Sequence, residues 1–351
     1  MLPLTMSSNL TYKAASQGSK LFACLIVLSM DSIPGASTKP ERIPAMNVHT
    51  FLNSFKGYRK YGALTIMFLP VVLYFLLFHY GPMYGVTLAF KEFNLSKGIL
   101  GSPWIGLENF RDIFGTSSFV RAFKNTVIIS VLKLICGFPM PIVLALMLNE
   151  VKNLKFKKTI QTISYLPHFL SWIILSGLFM QLLSPSNGIV NYLLGLAGVE
   201  PIYFMADNRW FRFILIITEV WKGAGWGSII YLATIAGISQ EIYEAAECDG
   251  TGRFQKIFYI TLPMLTPTII IMFILNLGGI MNAGFDQVLN MYNTAVYETA
   301  DIIDTYVYRY GLGQMKYSLA TAVGLFKNLI GFTLVIITNK ISNSIGEYGI
   351  W

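Results

Sequence analysis

A chain of 351 residues that is 54% hydrophobic and only 13% charged carries about half the charge of an ordinary soluble domain. Its net charge of +8 leaves too few free cations for a nucleic-acid groove, and lysines that flank membrane spans account for it better. No Gly-Lys dipeptide occurs, which excludes a Walker A phosphate loop, and Cys24, Cys136 and Cys248 have neither disulfide nor metal-ligand spacing. His49, His79 and His168 stand alone and read as packing or interfacial residues.

Residues 1–50 hold one apolar run, Leu21 to Met30, that is too short to cross a bilayer and lies between Ser-, Thr- and Pro-rich flanks. The expectation is a disordered extension or an over-extended reading frame, with Met46 as the true start. Residues 51–61 read as a cytoplasmic N-terminal segment, because Lys56, Arg59 and Lys60 hold that side of the first span inside. Residues 62–351 form the membrane domain.

Gly62 to Tyr80 is free of Asp, Glu, Lys and Arg and long enough, at about 28 Å of helix, to cross the hydrocarbon. The polar stretch 81–121 is expected outside. Thr126 to Asn149 is the second span, with a kink expected at Pro139 and Pro141. Lys152, Lys155, Lys157 and Lys158 then mark a short cytoplasmic loop. Thr159 to Leu183 is the third span, 184–210 an external loop and Phe213 to Ile238 the fourth span. Leu262 to Phe285 is the fifth, 286–316 lies outside, and Tyr317 to Asn339 is the sixth. The fold expected is an all-α integral membrane protein of six transmembrane helices, with both termini and the loops at 150–158 and 239–261 in the cytoplasm.

The loop 239–261 is a polar island between two apolar runs. Ser239 is placed to cap a short helix whose first turn carries Glu241, and Asp249-Gly250 reads as its stop, since glycine enters the left-handed region freely. Ile242, Ala245 and Ala246 share one face of that helix, with Glu241, Glu244 and Glu247 broadly opposite. A plain amphipathic connector would look similar.

Inside the spans, Glu219, Trp221, Lys222, Trp226, Asn276, Asn282, Lys327 and Asn328 are the candidates for a substrate path, because polar groups in a span are costly and face a cavity or a partner. Glu219 and Lys222 are one turn apart and could instead neutralise each other. Trp221 and Trp226 could stack on sugar rings or sit at an interface, and the glycines among them could serve helix packing. Lys133, Lys222 and Lys327 face only Glu219 within the spans. If all line one cavity it is net positive and suits an acidic sugar; alternatively Lys133 reaches an interface, Lys222 pairs with Glu219, and Lys327 pairs with a partner subunit.

Several motifs together resemble a family. Glu244-Ala245-Ala246, Gly250, Ile260 and Leu262-Pro263 reproduce the spacing of the EAA loop in membrane subunits of bacterial binding-protein-dependent ABC importers. Gly106-Leu107-Glu108-Asn109-Phe110 is similar to the GLxNF signature of sugar permeases, and Asn125-Thr126 to the pair that opens their core. With 164–172, 221–233 and 297–309, these make residues from about 55 to 351 resemble the MalF and MalG class, and within it permeases of the LplB type that serve complex oligosaccharides. The resemblance implies the type I importer fold and a plasma-membrane location. Glu244, Ala245, Ala246, Asp249, Gly250, Ile260, Leu262 and Pro263 would couple the chain to a cytoplasmic ATPase dimer. A second permease and a lipid-anchored solute-binding protein would complete the complex, and ATP and Mg would bind the ATPase alone.

The runner-up readings are an integral-membrane enzyme of the lipid-linked glycosyltransferase kind and a secondary transporter. The first needs an acid pair at one membrane face, where only the EAA loop offers acids; the second lacks an inverted repeat. The isolated chain is expected not to bind ATP, and micromolar nucleotide affinity of the purified subunit would contradict this division of labour.

Overall fold

The computed structural model describes residues 62–346, and among them it is helical, with one isolated β-bridge between Lys91 and Trp104. The expectations for residues 1–50, for 51–61 and for a start at Met46 lie outside the described residues. The chain divides after Tyr84 into two compact units. The first contributes α1, Gly62–Phe75, which continues through a π-turn, Leu76–Tyr80. A 3-10 stretch, Gly81–Phe90, follows and carries the helix ten residues past the expected end. No charge interrupts the apolar run until Lys91, and the only proline there, Pro82, sits in the first turn of the 3-10 segment, where its missing N–H costs little.

In the second unit, α2 (Glu108–Gly115) lies against the start of a long span. Asn109 shows what the GLxNF signature does locally: its amide donates to the carbonyls of Ala89 and Lys91 at 2.9 and 3.1 Å and ties α2 to the end of the preceding helix. The second span is α3, Ser117–Gly137, followed by α4, Pro139–Asn149, with the expected interruption at Phe138. It starts nine residues before the expected Thr126 because Ser117 to Lys124, though polar in part, packs Phe119 and Ala122 into the core.

The third span is not one straight helix. Residues of α5, Leu154–Tyr165, and a 3-10 turn, Leu166–Phe169, meet α6, Trp172–Leu182, at an angle of 103°. Pro167 and the extended Leu170 and Ser171 break the helix, and Ser171 caps α6 through its hydroxyl. The expected external loop 184–210 contains α7, Ile189–Leu196, whose buried Asn191 donates to the carbonyls of Leu183, Ser184 and Ile202 and accepts from the Ile202 N–H.

The fourth span, α8, runs from Asn208 to Ala236 and is capped by Asp207. It passes close to two other spans: a Cβ at Gly225 would collide with the Ser164 carbonyl, and one at Gly227 would lie 2.9 Å from the Pro141 ring. Helix α9, Gln240–Cys248, follows. The fifth span begins at Arg253 and ends with α10, Leu262–Gly278, so it starts nine residues earlier and stops seven earlier than expected. A π-turn over Ile257–Thr261 widens it just before Pro263, whose ring would otherwise press on the carbonyl four residues back. Asn282 therefore lies in a 3-10 turn after the span and not within it. The last span, α13, runs Tyr317–Gly346.

Among the described residues, five continuous helices are long and apolar enough to cross a membrane, and the bent pair, taken as one broken span, makes a sixth. The 286–316 segment differs most from expectation. Helix α11, Phe285–Met291, and α12, Ile303–Val307, join two of the three apolar cores, and Val288, Met291, Val296, Ala300, Ile302 and Ile303 are fully buried. The Asn125 amide donates to the Glu298 and Asp301 carbonyls at 3.0 Å each, while its oxygen accepts from Arg212 at 2.8 Å. Arg212 also donates to the Thr299 carbonyl, and the Thr126 hydroxyl accepts from the Ile303 N–H at 2.8 Å. The fully buried Asp301 takes two bonds from Arg309, at 2.7 and 3.1 Å, and one from Thr305. Burial is the largest single influence and works against the Arg309 charge, but the hydrogen bond and charge of Asp301, with Tyr292 and Tyr297, together hold the guanidinium pKa above its ordinary value.

Arg309→Met should leave the Asp301 carboxylate buried and unpaired and cost about 3 kcal/mol, at the low end for a broken buried pair because Arg309 is a quarter exposed. The double variant Asp301→Leu/Arg309→Met should recover part of that loss, read as the thermal midpoint of the purified protein in lipid.

Candidate functional site

Two places stand apart: a cavity among the spans and the exposed helix α9. The cavity is about 470 Å³, within the usual range for small-ligand sites. Its walls come from α3 and α4 (Ser130, Lys133, Phe138, Pro141), from α8 (Glu219 to Tyr231), from α10 and the turn after it (Met272, Asn276, Asn282, Gly284), and from His168 at the break in the third span. The second span and the broken third thus join the fourth and fifth in lining it, whereas the start of the sixth lines a second cavity of about 630 Å³ with Phe285, Asp304 and Tyr308.

Of the eight path candidates, Glu219, Lys222, Trp226, Asn276 and Asn282 line the first cavity, and Asn282 lines both. Trp221, Lys327 and Asn328 line neither. Trp221 points elsewhere because five residues of helix turn it about 140° from Trp226; it is half-exposed and meets Phe179 edge-on. Trp226 stacks face to face on His168, with centroids 4.6 Å apart and planes 2° apart. The Asn276 amide, in the cavity wall, donates to the Met272 carbonyl one turn back. Ser130 and Tyr231 join the lining without having been singled out, since neither hydroxyl breaks an apolar run sharply enough to signal itself.

The charges pair differently from the sequence expectation. Glu219 takes Lys133, 86 positions away, at 3.5 Å, and not Lys222 one turn along. Lys133 does not reach an interface: it also donates to the Ala283 carbonyl at 2.9 Å and to Gln287. Gln287 is fully buried and bonds Leu215 and Thr218 on α8 in turn. Lys327 pairs with Asp304 of this chain at 2.6 Å. Lys222 donates to the carbonyls of His168 and Leu170 and lies 5.0 Å from the Trp172 ring. It thereby satisfies backbone groups that the break in the third span sets free.

On α9, Ser239 caps the helix by accepting from the Glu241 N–H, and Gly250 has φ +76°. The Thr251 N–H bonds the Ala246 carbonyl at 3.1 Å and the Gly250 N–H bonds that of Glu247 at 3.0 Å, which is the double-bonded glycine stop of a helix. The helix rests on the chain through Tyr243, whose hydroxyl meets that of Thr261 at 2.8 Å, and through Glu247, bonded to Lys256 at 2.6 Å. The Lys256 ammonium holds the Glu247 carboxyl below its usual range. Ile242, Ala245, Glu241, Glu244 and Asp249 are exposed, while Ala246 is half-buried, so the small face is shared between the chain and solvent. Ile260 lies in the π-turn, and Leu262 and Pro263 open α10. Cys136 and Cys248 are free thiols, and no cluster of three metal-ligating side chains occurs among the described residues.

Residues 137–346 match the family described as "Binding-protein-dependent transport system inner membrane component". The polygalacturonan/rhamnogalacturonan transport system permease protein YteP of Bacillus subtilis (strain 168) is 43% identical over 82% of this chain and 90% of its own length. Protein LplB of the same organism is 38% identical over 92% of this chain and 100% of its own. Among solved structures, a bacterial ABC transporter involved in import of the acidic polysaccharide alginate superposes with a TM-score of 0.78. Its chain is 43% identical, and the match covers 83% of this chain and 99% of that one. The alginate transporter in complex with its alginate pentasaccharide-bound periplasmic protein gives 0.79 at 42% identity, over 84% and 99%. The long apolar helices, the cavity lined by the second to fifth spans, the glycine-stopped helix between the fourth and fifth, and these matches agree: the chain belongs to the binding-protein-dependent transport system inner membrane components, which are transport subunits and not enzymes.

Proposed function

We propose that this chain is one of two membrane-spanning subunits of an ATP-driven importer of oligosaccharides. The observation that carries the reading is the placement of α9. Its chain leads directly into α8 on one side and, through the Arg253–Thr261 turn, into α10 on the other, and both of those helices line the cavity. A partner that displaces α9 therefore moves two cavity walls through connections of only three and four residues. Glu241, Ile242, Glu244, Ala245 and Asp249 face outward as an acidic and apolar surface for that partner, an ATPase dimer on the cytoplasmic side. In this orientation the lysine loop at 150–158 and both termini are cytoplasmic, in keeping with the excess of lysine there.

A homologous second permease would close the open side of the cavity, and an extracellular solute-binding protein would deliver the ligand. The oligosaccharide class is supported by the Trp226–His168 stack beside amide and hydroxyl groups, and by the substrates for which the relatives are named, polygalacturonan, rhamnogalacturonan and alginate. Those names favour acidic chains. Alternating access then follows from ATPase closure and opening, with no covalent chemistry in this chain.

Glu244→Lys should lower substrate-stimulated ATPase activity of the reconstituted complex at least about tenfold, since a docking contact would become repulsive, and leave the thermal midpoint unchanged because Glu244 is solvated. Gly250→Val should do comparable harm by forcing a β-branched residue into the left-handed region. Wild-type coupling in either variant would remove α9 from the role assigned to it.

A further inference from the structure

The formal charges that line the first cavity are those of Lys133, Glu219 and Lys222. Lys133 and Glu219 offset each other, and Lys327 is paired with Asp304 away from the cavity wall. Among the described residues, that leaves Lys222 as the cavity charge with no ion-pair partner. Its acceptors, the His168 and Leu170 carbonyls, satisfy two of three N–H groups but cancel no monopole. Much of the surrounding wall is apolar, including Leu134, Phe138, Pro141 and Val220, so the uncancelled charge is felt more strongly than in water.

His168 joins this ammonium to an aromatic platform. Its carbonyl accepts from Lys222 at 3.4 Å, and its ring covers one face of Trp226, which stays nearly half-exposed. Phe169 meets the Trp226 ring edge-on at 5.5 Å and props it. An apolar plane beside a single positive charge fits a pyranose ring that carries a carboxylate: the C–H face stacks and the carboxylate takes the ammonium.

We propose that Lys222 and the His168–Trp226 ring pair form a subsite that reads the carboxylate of a uronate residue in the transported chain. The subsite rests on the oligosaccharide reading above and assigns the preference for acid to one residue. Lys222 also clamps the break in the third span, so a loss of binding alone would not separate charge recognition from positioning.

The test uses the complete transporter in lipid nanodiscs, without its solute-binding protein, and two probes with the same ring skeleton: tetragalacturonate and its fully methyl-esterified form. The wild type should bind the acid at least about tenfold more tightly than the ester, in line with the cost of removing one partner of a desolvated charge pair. Lys222→Gln retains an N–H donor for the carbonyls and should bring the two affinities together, whereas Lys222→Arg should keep the preference. Trp226→Ala should weaken both probes alike. An equal loss of both probes in Lys222→Gln would make Lys222 a clamp only. An unchanged preference in that variant, or none in the wild type, would also overturn the assignment. Failure of both probes to bind the wild type would sink the oligosaccharide reading itself.

Discussion

The grip of Asn125, Thr126 and Arg212 on the backbone between Glu298 and Ile303 is the constraint on which the second unit depends. Irregular chain is tolerated near hydrocarbon only where its N–H and C=O groups find partners in the protein. Here two adjacent residues of α3 and one of α8 supply them, and Asp301 with Arg309 completes the set from within the segment. With its polar groups satisfied, this stretch can bury Val296, Ala300, Ile302 and Ile303 and tie the core around α6, α8 and α11 to the core around α2, α3 and α13. The Asn-Thr signature is thus a backbone anchor, and its value lies in what it lets the neighbouring chain bury.

What the residues declare in advance is local. The proline interruption of the second span, the Ser239 cap and the left-handed Gly250 all follow from a few consecutive side chains, and the structure has each of them. The 286–316 segment escaped because its polar residues look solvated until partners from α3 and α8 are in place. The 103° break in the third span escaped for a related reason. Pro167 marks a disturbance, but its depth is set by Lys222, fifty-five positions later, which makes exposed carbonyls tolerable. Of the cavity, five of eight candidates were legible because a polar residue in a span must face something. The sense in which each faces was not, since Trp221 and Trp226 differ only by helical phase.

Charge illustrates the same limit. Spacing of one turn makes Glu219 and Lys222 neighbours, yet the contact realised joins Glu219 to Lys133 across two spans. In a bundle, an ion pair is decided by which helices abut. The pairing also changes the meaning of composition: three intramembrane lysines counted against one acid suggest a strongly positive lining, whereas Asp304, outside the spans by sequence, takes Lys327 out of the sum. The cavity keeps a single excess charge, placed at the break.

The close passage at Gly225 and Gly227 has a mechanical consequence. At Gly225 the helix backbone meets the Ser164 backbone and at Gly227 it meets the Pro141 ring, so sliding α8 along its axis would drive Ala224 or Trp226 into Ser164 or Pro141. The contact opposes sliding more than tilting and so can act as a fulcrum. From Gly225 the arm to Ala236 is about 16 Å and the arm to Asn208 about 25 Å. A tilt imposed at the α9 end would reappear at the Arg212 end reversed in direction and about one and a half times as large, which makes the helix a seesaw with its longer arm toward Asn208.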